Sequence, residues 1–194
     1  MSAELLQTFT TSMLSSQETS RVSEYLVTTR DRLIEATSNL SDPQWHFKPG
    51  PESWSIAEIL EHVVIIEGRV HAIIGRMPGA PLAEADRMNW QLEEMIRTKV
   101  PDRSEKITAP PPVQPSHQWS PAETLPRFLE RRARTLELLT EATSLRGHVV
   151  LHPILGPLDG YQWILAVAAH TDRHISQILE VKGCSGFPEG QSLN

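Results

Sequence analysis

The sequence predicts an all-α protein folded as a four-helix bundle. Four segments carry apolar residues at helical spacing, each begins with a capping signal, and one long connection, residues 78–119, separates the second from the third. A chain of 194 residues is long enough for one well-buried core and short for two full-sized domains, so we expect a single domain over residues 1–194. Its core helices are predicted at residues 16–40, 55–76, 120–142 and 160–182.

The first helix is predicted to begin after Ser15. Ser15 and Glu18 have the spacing of a capping box, in which each side chain bonds the backbone N–H of the other residue. Residues 41–43, Ser-Asp-Pro, are expected to end the helix, and residues 1–14 are assigned no role. The predicted buried face consists of Val22, Leu26, Thr29, Leu33, Ala36 and Leu40.

A loop is predicted over residues 44–51, which contain two prolines and a glycine. We expect His46 in this loop to be exposed. Trp45 and Phe47 are expected to cover one end of the core.

The second helix has three start signals that agree with one another. Ser55 is the predicted N-cap, Glu58 completes a capping box, and Trp54 can pack on Ile59 as a hydrophobic staple. The helix should therefore begin at or immediately after Ser55.

His62 is the chemically distinctive residue of the second helix. It shares a face with Ile65 and Ile66, so we expect it at or near the core, whereas His71 lies on the opposite side and is expected to face solvent. Glu58, one turn before His62, is a candidate acceptor for an imidazole N–H of His62. The capping role is the preferred explanation of Glu58.

The connection over residues 78–119 is expected to form either a lid over a site or a strap around the bundle. Residues 82–99 contain a polar helical piece, and the proline-rich residues 109–115 predict extended backbone. Asn89 and Trp90 are its candidates for lining a pocket.

The third helix is predicted to start with Ser120 as N-cap, Pro121 in the first position and Glu123 in the third. Its buried stripe is expected to consist of Leu125, Phe128, Leu129, Leu136 and Leu139. A solvated face without a chemical role is expected from Arg131, Arg132 and Arg134.

Residues 145–160 predict a loop or a short extended stretch before the fourth helix. His152 in this stretch can turn toward a metal or away from it, because the surrounding prolines and glycines leave its direction undetermined. The fourth helix is predicted to start with Asp159 and Gln162 as a capping pair, and Gly183 is expected to end it in the left-handed conformation.

The fourth helix carries two histidines, His170 and His174, on its apolar face. Side chains four residues apart stack one turn apart on one face of a helix, so the two imidazoles can bind one metal ion. A buried imidazole without a partner costs about 1–3 kcal/mol, and a shared cation removes that cost. Solvent or neighbouring side chains are the alternative partners.

Addition of His62 from the second helix would give a set of three imidazole nitrogens in the bundle. Three protein ligands leave coordination positions open for water or substrate, which is typical of reactive rather than purely structural metal sites.

Composition argues against several classes of protein. Asp and Glu total 24 against 18 Lys and Arg, the net charge is −6, and no basic stripe is present, so nucleic acid is not an expected partner. The single cysteine, Cys184, excludes an intrachain disulfide and a multi-cysteine metal site. Because neither a secretory signal nor an apolar run of membrane-spanning length occurs, we expect no membrane association and a cytoplasmic location.

Three short motifs follow one another in a characteristic order. They are Trp-Ser-Ile-Ala-Glu-Ile-Leu-Glu-His at residues 54–62, Leu-Gly-Pro-Leu at 155–158 with Tyr-Gln-Trp at 161–163, and the segment around both histidines at 169–178. Together they resemble the DinB/YfiT-like superfamily, and the similarity extends from the first helix to Pro188.

The resemblance implies an up-down-down-up four-helix bundle that binds a divalent metal, commonly nickel or zinc, through three histidines. By motif these are His62, His170 and His174, which helix geometry also selects. Similar proteins are described as metal-dependent hydrolases or as transferases that attach low-molecular-weight thiols, such as bacillithiol or mycothiol, to electrophiles. Homodimers are frequent among them.

Three functions stay open at this point. In thiol transfer, the cation lowers the pKa of a thiol co-substrate that attacks a small electrophile, and Cys184 lies outside the site. In hydrolysis, a metal-bound water is activated, and Glu58 is the carboxylate that helical spacing places near His62 as a general base. The third hypothesis is a non-catalytic, metal-binding stress-response module.

Overall fold

The structure, a computed structural model, describes residues 14–82, 90–141 and 145–189. The helices in chain order are α1 (Ser16–Thr37), α2 (Asp42–His46), α3 (Ile56–Arg76), α4 (Trp90–Lys99), α5 (Pro121–Glu141) and α6 (Gly160–Lys182). The four long helices α1, α3, α5 and α6 form a bundle, so the all-α class and the four-helix bundle are confirmed. The up-down-down-up order of the helices stays a prediction.

The predicted start signals are present at the N-termini of the long helices. The first residue of α5 follows Ser120, whose backbone N–H and hydroxyl both donate to the Glu123 carboxylate. Such caps satisfy backbone N–H groups that a helix start leaves unpaired. Both bonds of a capping box form in the pairs Ser15 with Glu18, Ser55 with Glu58, and Asp159 with Gln162.

The end of the first helix and the loop after it differ from the prediction. α1 ends at Thr37 rather than at residue 40, and Asn39 takes the left-handed conformation with φ 55°. The chain then starts the short helix α2, because Ser41 and Gln44 form a further capping box. This helix overlaps the predicted loop at residues 44–46.

The end of the fourth helix also differs from the prediction. Gly183 has φ −82°, so it is not left-handed, and its backbone N–H still bonds Leu179 O in helical fashion. The glycine that takes the left-handed conformation after α6 is Gly186, with φ 87°.

A hairpin replaces the predicted loop or extended stretch before α6. Strand β1 (Val150–His152) pairs antiparallel with strand β2 (Gly156–Leu158). The extended alternative was therefore the correct one over these residues.

The apolar core lies between the long helices and is covered at one end as predicted. Trp45 and Phe47 are partly buried against it, and the Phe47 ring meets the Phe187 ring edge to face at 5.4 Å. In the predicted stripe of α5, Phe128 and Leu139 are buried, whereas Leu129 is exposed, so its assignment was wrong.

The prediction of a solvated arginine face on α5 is wrong for Arg132. Its side chain is 0% exposed and forms a bidentate ion pair with the equally buried Glu67 of α3, with nitrogen–oxygen distances of 2.7 and 3.1 Å. The same guanidinium donates to Leu26 O and the Thr29 hydroxyl of α1 and to the Thr171 hydroxyl of α6, each at 2.8 Å. One buried cation therefore links all four long helices.

The neighbours of this ion pair also differ from the prediction. Arg131 is half-buried and donates to Val64 O, while Arg134 is exposed. His71, predicted to be solvated, is half-buried, and its Nε2 lies 2.8 Å from the Thr135 hydroxyl, which donates to Glu67.

The described part of the long connection after residue 89 runs as a strap along the bundle. Glu93 of α4 binds Arg146, which also pairs with Asp159 and Glu18 and stacks on Tyr161 at 4.0 Å. Further along the strap, the Arg173 guanidinium of α6 donates to the backbone carbonyls of residues 102 and 105. Within the proline-rich part, residues 111–113 form a 3-10 turn between extended residues, so the predicted extended backbone is interrupted.

Within the described residues, no helix combines the length and the apolar character that crossing a bilayer requires.

Candidate metal centre

Three histidine rings from two facing helices meet at one point of the bundle. Nε2 of His170 lies 3.2 Å from Nε2 of His62 and 3.1 Å from Nε2 of His174. His62 comes from α3, and the other two lie one turn apart on α6. The structure therefore brings together the three residues selected from the sequence, with one ligand nitrogen of each within 4.8 Å of the others.

Hydrogen bonds at Nδ1 fix the orientation of two of the rings. Nδ1 of His62 lies 2.6 Å from Val113 O, and Nδ1 of His174 lies 2.8 Å from Gln177 Oε1. Because both partners are acceptors, each Nδ1 carries the proton and donates it. The Nε2 atoms of neutral His62 and His174 therefore present lone pairs to the centre of the cluster.

The cluster fits a divalent cation better than it fits hydrogen bonding among the rings. The Nε2 lone pairs of His62 and His174 both face Nε2 of His170, which carries at most one proton. If that N–H donates to one of the two lone pairs, the other has no good donor. In a tetrahedral site with metal–nitrogen distances of about 2.0–2.1 Å, ligand nitrogens lie about 3.3 Å apart, close to the two distances from His170 Nε2 to its neighbours. The type of ligand atom and the spacing thus both suit a metal. A histidine that binds a metal through one ring nitrogen usually donates the other N–H to an oxygen acceptor, as His62 and His174 do here.

The third ring differs from the other two. Nδ1 of His170 is buried and has no hydrogen-bond partner among the described residues, while the residue as a whole is partly exposed. His62 and His174 are buried. His170 is therefore the one member of the cluster with a partly exposed residue surface.

An indole covers another side of the cluster. The Trp54 ring centroid lies 4.9 Å from that of His62 and 6.4 Å from that of His174, with which it is stacked. The sequence assigned Trp54 only to a hydrophobic staple, so its contact with both imidazoles was missed. Gln177 was also missed, although its place three residues after His174 on a helix is a readable signal.

Comparison with known proteins assigns the family. The model of the DinB superfamily matches residues 25–178. The chain belongs to the DinB superfamily. It is also 30% identical over 146 residues to the uncharacterized protein YuaE of Bacillus subtilis strain 168, an alignment covering 74% of this chain and 86% of YuaE.

A solved DinB-like structure supports the fold. YfiT from Bacillus subtilis, described as a probable metal-dependent hydrolase with an unusual four-helix bundle topology, superposes with a TM-score of 0.55. The match covers 87% of this chain and 88% of YfiT at 14% identity, so it bears on the fold alone.

Burial and mutual repulsion keep the imidazoles of this DinB-superfamily chain neutral. Burial lowers the pKa of His62 below its usual 6.5. Burial, followed by the neighbouring His174 and His62, holds the pKa of His170 well below that value, and burial followed by His62 does the same for His174. Neutral imidazoles are the form that binds metals, so the site is ready for a cation at neutral pH.

The lowered pKa values predict a pH dependence for the metal-free protein. Native imidazoles resist protonation while the unfolded chain binds protons near pH 6.5, so the free energy of unfolding should fall as pH decreases from about 7 to 5.5. Urea titrations across this window measure it. His170→Gln should show a shallower fall, whereas the exposed control His46→Gln should match the wild type; equal slopes in all three proteins would contradict the assignment.

Glu58 serves the capping role rather than bonding His62. One carboxylate oxygen accepts from the Ser55 N–H, the other lies 2.7 Å from Lys48 Nζ, and the Nδ1 proton of His62 goes to Val113 O. Burial raises the pKa of Glu58, but the bonds from Lys48 and Ser55 outweigh it and the net pKa is lowered. A general base works best with a pKa near the operating pH, so Glu58 suits that role poorly.

The remaining candidates lie outside the cluster. His152 packs on the Trp163 ring at 4.8 Å, and its Nδ1 accepts from the backbone N–H groups of residues 154 and 155. His46 is exposed, as predicted. Trp90, a candidate for lining a pocket, is 73% exposed, and Asn89 lies outside the described residues.

Proposed function

We propose that this chain is a metal-dependent enzyme that transfers a low-molecular-weight thiol to an electrophilic small molecule. His62, His170 and His174 are the proposed ligands of one divalent cation, nickel or zinc, since imidazole suits both. The observation that carries the proposal is the convergence of three Nε2 atoms. In His62 and His174 the hydrogen bond at Nδ1 leaves Nε2 unprotonated, with its lone pair free to bind a metal.

The protein groups around the cluster support a reaction site rather than a closed structural one. Structural zinc sites use four protein ligands, whereas the cluster in the described part of the chain has three, of which His170 is partly exposed. A cation bound there supplies Lewis acidity that lowers the pKa of a thiol or a water. The three histidines would hold the cation, and the Trp54 ring, which packs on the rings of His62 and His174, would cover that side of them.

Thiol transfer is favoured over hydrolysis by the surroundings of Glu58. A thiolate needs no further base once its proton is lost, whereas activation of water benefits from a nearby general base. Glu58 is held by Ser55 and Lys48 with a lowered pKa. Hydrolysis is the second candidate, because the similar fold of YfiT belongs to a protein described as a probable metal-dependent hydrolase.

The experiment uses protein purified without a histidine tag, stripped with a chelator and reloaded with Ni²⁺ or Zn²⁺. Chlorodinitrobenzene is offered with cysteine, glutathione or bacillithiol, and nitrophenyl acetate is offered without thiol. We expect chloride displacement that requires both metal and thiol, because the new carbon–sulfur bond replaces the carbon–chlorine bond. Metal-dependent ester cleavage without thiol would favour hydrolysis, and bound metal without either reaction would favour the non-catalytic module.

A homodimer and a cytoplasmic location remain predictions of the sequence. Light scattering of the metal-loaded protein tests the first, and cell fractionation tests the second.

A further inference from the structure

We propose that Glu61 is a positioning residue that sets the tautomer of its neighbour His62. It would do so by holding residues 111–118, here called the docking segment, against α3. The inference rests on the proposed function only for its metal-binding consequence, because the tautomer itself is a property of the metal-free protein.

Glu61 is a buried carboxylate whose acceptors are directed at the docking segment. One oxygen accepts from the backbone N–H groups of Ser116 at 3.1 Å and Gln118 at 3.2 Å, and the other accepts from the His117 N–H at 3.0 Å. The Ser116 hydroxyl lies 3.4 Å from the first oxygen. Three backbone N–H groups around one carboxylate form an anion-binding nest.

The backbone conformation of the docking segment matches this role. His117 has φ 57°, a left-handed conformation that is uncommon outside glycine. A left-handed residue in a turn directs successive N–H groups to one side, where the Glu61 carboxylate lies. The strain at His117 is thus explained by the anchoring of the segment on α3.

The other end of the docking segment reaches the candidate metal ligand. Residues 111–113 form a 3-10 turn in which the Gln114 N–H bonds Pro111 O, and Val113 O accepts from Nδ1 of His62 at 2.6 Å. Arg69 donates to the adjacent Pro112 O at 2.6 Å. Glu61 and His62 are neighbours on α3, so one turn of this helix contacts the segment at two points. Glu61 binds its N–H groups, and His62 donates to its carbonyl oxygen at Val113.

His174 provides a comparison within the same cluster. Its Nδ1 donates to Gln177 on its own helix, without any contribution from the docking segment. Loosening the segment should therefore affect the tautomer of His62 and leave that of His174 unchanged, a difference that a merely stabilising role of Glu61 would not produce.

The test is Glu61→Gln, which places an amide donor opposite backbone donors. In metal-free protein at about pH 8, where imidazoles are neutral, nitrogen chemical shifts should show His62 losing its Nδ1–H preference while His174 keeps it. Competition with a chelator should show Ni²⁺ affinity reduced by about 10–100-fold, the range typical of lost partners of metal-bound histidines. Glu18→Gln is the control, a capping carboxylate on α1 that bonds Ser15 and Arg146 rather than the docking segment, and should leave the His62 tautomer intact.

An unchanged His62 tautomer in folded Glu61→Gln protein would overturn the proposal, as would equal changes at His62 and His174. If Glu61→Gln does not fold, Glu61→Asp withdraws the carboxylate by one methylene and is judged by the same shifts. A wild-type protein that binds no metal would defeat the proposed function while leaving the tautomer result to decide the role of Glu61.

Discussion

Replacing His170 with alanine is expected to abolish stoichiometric metal binding while leaving the protein helical. His170 Nε2 contacts both other Nε2 atoms, so its loss removes the central member of the cluster. Loss of an outer partner of a metal-bound histidine costs about 10–100-fold in affinity, so loss of a ligand should exceed 100-fold. Metal analysis after dialysis and far-ultraviolet circular dichroism measure the two outcomes.

His46→Ala is the matched control for this experiment. His46 is exposed on α2 and, among the described residues, bonds Asp42 at the start of its own helix, so its removal should leave one metal ion per chain. A His170→Ala protein that retains one tightly bound ion would show that the cluster is not the metal site.

Replacing Arg132 with methionine is expected to destabilise the protein by about 3–5 kcal/mol, because it leaves the Glu67 carboxylate charged and buried without its cation. It also removes the three hydrogen bonds that Arg132 donates to Leu26 O and the Thr29 hydroxyl of α1 and to the Thr171 hydroxyl of α6. Urea unfolding at neutral pH measures the change in free energy.

Two further variants separate the ion pair from a general effect of arginine loss. Arg134→Met, on the exposed side of the same helix, should leave the unfolding midpoint close to that of the wild type. The double variant Arg132→Met with Glu67→Gln should recover part of the loss, because no unpaired charge remains. A small effect of Arg132→Met alone would mean that water reaches Glu67.

Helix starts and the three histidines were predictable because their signals are local. Capping boxes depend on residues three apart, so Ser55 with Glu58 could be recognised without knowledge of the fold. The spacing of His170 and His174 fixes their common face, and the apolar neighbours of His62 turn it toward the core.

The residues that sequence reasoning misplaced depend on partners distant in the chain. Arg132 carries no sequence signal that distinguishes it from Arg131 and Arg134. Its burial depends on Glu67, Thr29 and Thr171 on three other helices. Val113 orients His62 through its carbonyl oxygen, a group that every residue has, so its side chain carries no signal. The α2 capping box was readable from Ser41 and Gln44 but was outweighed by nearby prolines and glycine.

The docking segment makes its principal contacts through main-chain atoms. Residues 112 and 113 contribute carbonyl oxygens, and residues 116, 117 and 118 contribute N–H groups. The exposed side chains at positions 114 and 118 can therefore be randomised in a library without removing the main-chain interactions that anchor the segment. Such a library varies the surface next to His62 while the carbonyl oxygen of Val113 that orients His62 is retained.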